Sequence, residues 1–335
     1  MQMVVTIVVL NWCHWTETVA CLNSLRQLVC VYPVKWVICD NASSDDSFLQ
    51  LTQWINAHFS PSDRAIYAEV LSENELDHGD HFPAVTLLPT GGNWGFAGGN
   101  NVGLRYALAR MEAGYVWVLN NDTAVFPDSL QALLDCAETQ PEVGLWGSTL
   151  VEWDAPQQVQ CAGGCRYYPW LTITRPVWQG MSLAAAQQSV VIPRLDYVAG
   201  AALFFPVKVL REVGLLNDEY FLFYEELDYC QRLKSSGYTI AWCRDSVVRH
   251  RGSASVGHSA NGNREQLKQA NYYENLSTLK YSFNFHRSRF TVIFILRWVL
   301  KAAALIVTQR WFLLPPLWVA YRDFLARRDW RQEKK

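Results

Sequence analysis

Five clusters of polar residues carry the side-chain types that bind phosphate, hold metal or move protons. The segment GGNWGFAGGNNVG (residues 91–103) lies between a strand pattern and a helix pattern. Backbone amides and a helix N-terminus placed in this way meet an anion. A tight turn needing positive φ accounts for the same glycines. In LNND (residues 119–122), Asp122 follows two asparagines at a strand end. One carboxylate among amides there holds a divalent cation against phosphate oxygens, and an Asp capping the next helix looks the same locally. DNASSD (residues 40–45) is an Asx-rich turn after a strand, expected with or without a base to bind. Glu225, Glu226 and Asp228 open a helix, where the macrodipole favours negative charge. Glu225 and Asp228 share a face, whereas Glu226 points elsewhere and is free to enter a crevice. His250, between Arg249 and Arg251 just after a strand, is either a metal ligand or a solvated ring. Cys13 and His14 are adjacent on one short turn, which does not align a thiol with a base.

These clusters need a scaffold that gathers strand ends. Residues 4–10 are short and β-branched, and Val19, Leu22, Leu25 and Val29 follow at helical spacing behind Thr16 or Thr18 as cap. VKWVICD is a second strand ending at Asp40, so the chain opens as βαβ, which demands a parallel sheet with helices on its faces. The rhythm continues with strands at residues 85–89, 115–120 and 143–148 and helices at residues 101–111 and 127–137. In such sheets the carboxyl ends of the strands form the ligand crevice, so Asn11, Asp40, Asn41, the glycine-rich turn and residues 120–122 should converge. Residues 60–84 break the rhythm as an inserted loop or short helix. Beyond residue 150 the alternation fades into turn-rich pieces around residues 197–206, a helix at 207–213, a helix closing at Gly237 and a strand at 238–243.

The chain has 335 residues, 50% hydrophobic and 18% charged, which excludes a disordered or collagen-like protein. Its net charge of −2 argues against a nucleic-acid binder. The charge is unevenly spread: residues 286–335 carry +8 and the rest −10. Nine scattered cysteines fit reduced, mostly buried thiols in a cytosolic setting. The apolar start lacks a basic n-region and reads as a first strand. No Walker A loop occurs and no GxGxxG follows the first strand, which weakens ATPase and dinucleotide-oxidoreductase readings. After residue 289 the uncharged runs are shorter than the roughly 18 residues a bilayer span needs. One helix over residues 290–309 groups Arg297, Lys301 and Thr308 and leaves a broad apolar face. The expected role is an interfacial helix held on the cytoplasmic leaflet by Lys and Arg, with protein packing or dimerisation as the alternative.

Taken in order, DNASSD, NWGFAGGNN, LNNDT, AGAALFF, EELDYCQR and RHRGSAS resemble the family 2 glycosyltransferases, closest to the rhamnosyltransferase-like branch that builds bacterial surface polysaccharides. The resemblance covers about residues 4–256 and implies an α/β GT-A fold: a mostly parallel, Rossmann-like sheet with helices on both faces. Residues 1–150 would form the nucleotide-sugar half, residues 151–256 the acceptor half, and residues 257–335 a helical, basic, membrane-associating segment. It implies that Asp40 contacts the base, that Asn41, Asn93, Gly95, Asn101, Asn120 and Asn121 line the donor, and that Asp122 and His250 bind Mn²⁺ or Mg²⁺. Glu226 would be the catalytic base, with Gly200, Ala201, Glu225 and Asp228 beside the acceptor.

The family's metal motif is reduced here to Asn120-Asn121-Asp122, which shifts metal affinity onto the donor's phosphates. Glu226 stands for the usual Asp, and Asn217-Asp218 for the usual Asp-Glu. The QxxRW of processive synthases is missing, which favours one sugar per encounter. The implied activity is inverting transfer of one sugar, most simply rhamnose from dTDP-rhamnose, to a lipid-linked glycan by a peripheral protein on the cytoplasmic side of the inner membrane. A UDP-sugar donor and a catalytically silent, nucleotide-sugar-binding assembly partner are the alternatives, and an oligomer is left open.

Overall fold

The computed structural model describes residues 3–77, 82–252 and 263–327. Its strands are β1 (Val4–Asn11), β2 (Val34–Asp40), β3 (Arg64–Ile66), β4 (Val85–Pro89), β5 (Gly114–Asn120), β6 (Thr123–Val125) and β7 (Val143–Glu152). Then come β8 (Val159–Ala162), β9 (Gly164–Tyr168), β10 (Ile173–Pro176), β11 (Tyr197–Val198), β12 (Ala202–Pro206) and β13 (Thr239–His250). The main sheet runs β3-β4-β2-β1-β5-β12-β7-β13-β6, with β8 on β7, and a small sheet runs β10-β9-β11. The five strands from β3 to β5 are mutually parallel, β12 is antiparallel between β5 and β7, and β13 is parallel to β7. Val5, Ile7, Val8 and Val9 in β1 are fully buried, as a parallel strand covered on both faces requires.

Three local readings change. The helix expected at residues 101–111 is Gly95–Leu108, because its glycines serve packing and do not break it. A Cβ at Gly103 would lie 2.7 Å from Val8 Cγ1 and 2.8 Å from Cys39 Sγ, so glycine at that position lets the helix lie close on the sheet. Residues 60–84 contribute edge strand β3 and the helix Glu73–Asp77. Neither Thr16 nor Thr18 caps the first helix, Trp15–Leu25, whose cap residue is His14. The Thr18 hydroxyl instead donates to Asn11 Oδ1 at 2.6 Å.

The C-terminal part is helical, in Arg264–Phe285, Phe290–Val307 and Leu314–Leu325. Asn263 and Gln266 close a capping box on the first of these, and its Tyr281 enters the main core. Arg297 and Lys301 turn inward onto Glu274 instead of facing outward toward headgroups. Arg297 is 6% exposed and donates to Glu274 Oε1, Asn275 Oδ1, and the backbone and side-chain oxygens of Thr172. Lys301 Nζ reaches both Glu274 oxygens at 3.0 and 2.9 Å. Burial opposes ionisation of Glu274, yet the Lys301 and Arg297 charges hold its carboxyl down at about 2. The outward face keeps Val292, Ile295, Trp298 and Val299 exposed. With the 3-10 turn before it, the helix Arg287–Val307 is long and apolar enough to cross a bilayer by length and composition, although its uncharged runs are short. The tail residues Arg328, Arg331, Lys334 and Lys335, and residues 253–255 of RHRGSAS, lie outside the described residues.

Ala ordinarily favours a helix over Gly, so the Gly103 packing makes a signed prediction. Gly103→Ala should destabilise the protein by about 1–3 kcal/mol through overpacking, read as a lower urea midpoint.

Candidate active site

Register brings the strand ends level: Asn11 pairs with Asp40 across β1 and β2, and Leu10 pairs with Asn120 across β1 and β5. A hydrogen-bond chain crosses these ends. Asn121 Nδ2 donates to Thr18 Oγ1 (3.1 Å), Thr18 to Asn11 Oδ1 (2.6 Å), and Asn11 Nδ2 to Asp40 Oδ1 (2.8 Å). Asp40 also accepts from the Ser43 hydroxyl and backbone amide, and is 4% exposed. Its carboxylate therefore orders the turn behind the cleft wall.

Asn41 fastens the glycine-rich turn. Its Oδ1 accepts from Thr90 Oγ1 and the Trp94 amide, both at 3.1 Å, and its Nδ2 donates to Asn93 Oδ1 and the Gly95 carbonyl. Gly95 has φ +70°, and a Cβ there would fall 2.0 Å from the Phe221 carbonyl oxygen, so the backbone requires glycine. The Phe96 amide donates to that carbonyl at 2.9 Å, tying the turn to the segment that leads into Glu225. Asn101 is buried away from the cleft, where it exchanges two hydrogen bonds with the backbone of Leu216.

The turn after β5 presents Asp122. The Thr123 hydroxyl closes it onto the Asn120 carbonyl at 2.6 Å. β6 then pairs antiparallel with β13, setting Thr123 opposite His250. A bulge between Cys243 and Val247 adjusts the register of β13 on β7 before the strand reaches His250. Asp122 Oδ1 and His250 Nε2 face each other at 3.4 Å, and neither has a hydrogen-bond partner among the described residues. His250 Nδ1 lies 2.7 Å from Gln160 Oε1, while Gln160 Nε2 donates to Glu152 Oε2 and the His250 carbonyl. With that amide orientation Nδ1 carries the proton and Nε2 presents a lone pair. A buried carboxylate oxygen and a bare imidazole nitrogen aimed at one gap fit a divalent cation such as Mn²⁺ or Mg²⁺. No cluster of three or more His, Cys, Asp or Glu suited to a metal occurs among the described residues.

Opposite lies the start of the helix Glu225–Ser235, entered through Phe223 and Tyr224 at φ 67° and 73°. Non-glycine residues held left-handed are strained, and such strain gathers at functional sites. Glu226 reaches the cleft, and burial pushes its carboxyl up to about 7. Gly200 makes room for it, since a Cβ there would lie 2.9 Å from Glu226 Oε1. Burial, then the neighbouring Glu226 charge, raises Glu225 well above the carboxylate range. Asp228 faces away from the cleft. It accepts from Arg232 Nε at 2.7 Å, and Arg232 in turn donates to the carbonyls of Val213 and Leu215.

The resulting cleft of about 630 Å³ brings Asn41, Asn93, Gly95 and residues 120–122 together with Gly200, Ala201, Glu225, Glu226 and His250. Asp40, Asn101 and Asp228 do not line it. Sequence reasoning missed Gln160, whose only distinction is its position on the hairpin beside β13, and the linking roles of Thr18 and Ser43.

This sheet, with its cleft at the strand ends, is a GT-A-like α/β fold. Consistent with that fold, two solved structures superpose over most of the chain. The mannosyltransferase PcManGT of Pyrobaculum calidifontis, in complex with GDP-Man and Mn²⁺, covers 97% of this chain and 88% of its own at TM-score 0.51 and 14% identity. GalNAc-T7 with UDP, GalNAc and Mn²⁺ covers 92% and 58% at TM-score 0.56 and 11% identity. A profile described as "Glycosyltransferase like family 2" matches residues 60–272, and the chain belongs to that family. The low-salt glycan biosynthesis hexosyltransferase Agl10 of Haloferax volcanii is 24% identical over 173 residues, 52% of this chain and 54% of the relative. The N-acetylglucosaminyl-diphospho-decaprenol L-rhamnosyltransferase of Mycobacterium tuberculosis is 27% identical over 194 residues, 52% of this chain and 62% of the relative. The matches thus span little more than half of the curated relatives' length.

The Gln160 contact yields a test. With a nucleoside diphosphate present, Asp122→Ala should abolish Mn²⁺ binding followed by electron paramagnetic resonance. Gln160→Leu should weaken it about 10–100-fold by freeing the imidazole tautomer.

Proposed function

We propose that the protein is an inverting glycosyltransferase that moves a single sugar from a nucleotide-diphosphate donor to a lipid-linked glycan. The observation that carries this reading is one cleft with the Asp122–His250 pair on one wall and Glu226, its carboxyl raised by burial, on another. Inversion needs one base and no enzyme nucleophile, and Glu226 is a cleft-facing carboxylate that ionises near neutrality. The rhamnosyltransferase named for a decaprenol-diphosphate-linked acceptor supports rhamnose as the sugar and a lipid diphosphate in the acceptor. The exposed apolar helix face supports a protein lying on a membrane surface.

In this reading each side chain has a task. Asn41 and Gly95 shape the wall that receives the donor. A divalent cation held by Asp122 and His250 would supply charge neutralisation for the departing diphosphate. Glu226 takes the proton from the acceptor hydroxyl as that oxygen bonds to the anomeric carbon. The bond from that carbon to the diphosphate oxygen breaks on the opposite side, releasing the nucleoside diphosphate and inverting the centre. Burial and the neighbouring Glu226 charge both disfavour a second negative charge on Glu225 beside the base.

Glu226→Gln should lower kcat by about 10²–10⁴-fold while leaving nucleoside diphosphate binding unchanged. In the wild type, the base must be ionised, so log kcat should climb with unit slope as pH rises toward about 7 and level off above it. A pH-independent rate between 5 and 8, or near-wild-type turnover by Glu226→Gln, would refute the role.

A further inference from the structure

Glu226 and Tyr197 also line a second cavity of about 630 Å³, which Asp122 and His250 do not line. Its far wall is the inward face of the helix Phe290–Val307, contributing Arg297, Leu300, Lys301 and Ala304. Two cations against the single Glu274 carboxylate leave one net positive charge there. Glu274 stays ionised because both cations hold its carboxyl low, so that balance persists at neutral pH. Arg297 spends its donors on Glu274, Asn275 and Thr172, while the Lys301 ammonium donates twice to Glu274 and its side chain is 26% exposed. Leu300 sits beside these charges and is 45% exposed, continuing into the apolar outer face of the same helix.

A cationic group at the end of an apolar wall, joined to the base by one cavity, matches a ligand with an anionic head and a hydrocarbon tail. We propose that this second cavity is the acceptor subsite, in which Lys301, braced by Glu274 and Arg297, binds the diphosphate of a polyprenyl-diphosphate-linked glycan. The assignment rests on the lipid-linked acceptor proposed above. The lipid follows the apolar helix face, and the glycan hydroxyl reaches Glu226 from the side opposite the departing nucleotide. Charges that composition alone assigns to a membrane surface serve here to recognise a substrate.

Farnesyl diphosphate and neutral farnesol probe the subsite without sugar transfer, titrated calorimetrically into the full chain with EDTA present. Wild type should bind the diphosphate in preference to farnesol. Lys301→Met should weaken diphosphate binding about tenfold, the scale of one charge-assisted hydrogen bond, whereas Lys301→Arg should stay within about threefold of wild type. Asp122→Asn should leave it unchanged. Equal affinity for farnesol, an unaltered Lys301→Met, or loss in Asp122→Asn would each overturn the proposal. If binding follows the expected pattern but the wild type transfers no sugar, the activity fails and the subsite stands.

Discussion

The hydrogen-bond chain from Asn121 through Thr18 and Asn11 to Asp40 is the constraint on which the site depends. It links the turn after β5, the first helix, and the ends of β1 and β2 in one buried path. Each member satisfies the next, which a water-poor setting demands of polar groups. Asn41 extends the path to the glycine-rich turn, which the Phe96 amide ties to the Phe221 carbonyl, a few residues before Glu226. The glycine-rich turn and the helix carrying Glu226 are thereby referenced to one another through backbone and short side chains.

Two acidic pairs show how neighbouring groups divide tasks. Glu225 and Glu226 are adjacent in sequence and both raised by burial, Glu226 to about 7, while Glu225 is raised by its neighbour's charge as well. Asp122 and Asp40 also sit at strand ends and are equally buried, yet Asp40 is fully engaged by Asn11 and Ser43, whereas Asp122 Oδ1 is free to coordinate.

The C-terminal helices are packed on the α/β body by charge as well as by apolar contact. Arg297 bridges the helix Arg264–Phe285 and the strand-edge residue Thr172, while Tyr281 reaches the main core. A buried guanidinium is stabilised only when its donors are met, and here four are. The exposed apolar face lies outward of this network.

The alternation of short β-branched runs with amphipathic helices determined the parallel sheet by itself, because helical and extended periods leave different marks in sequence. The same reading marked Asp122, Glu226 and His250 as candidates at element ends, and only the family resemblance gave them roles. Other outcomes belong to the tertiary structure alone. Whether Asp40 and Asn101 face the cleft or bind the scaffold depends on partners 29 and 115 residues away in sequence. Gln160 acquired its role only when β13 brought His250 beside the hairpin. The direction of Arg297 and Lys301 was set by Glu274 on another helix: helical periodicity shows which residues share a face, but what that face meets is decided by the packing of elements distant in sequence.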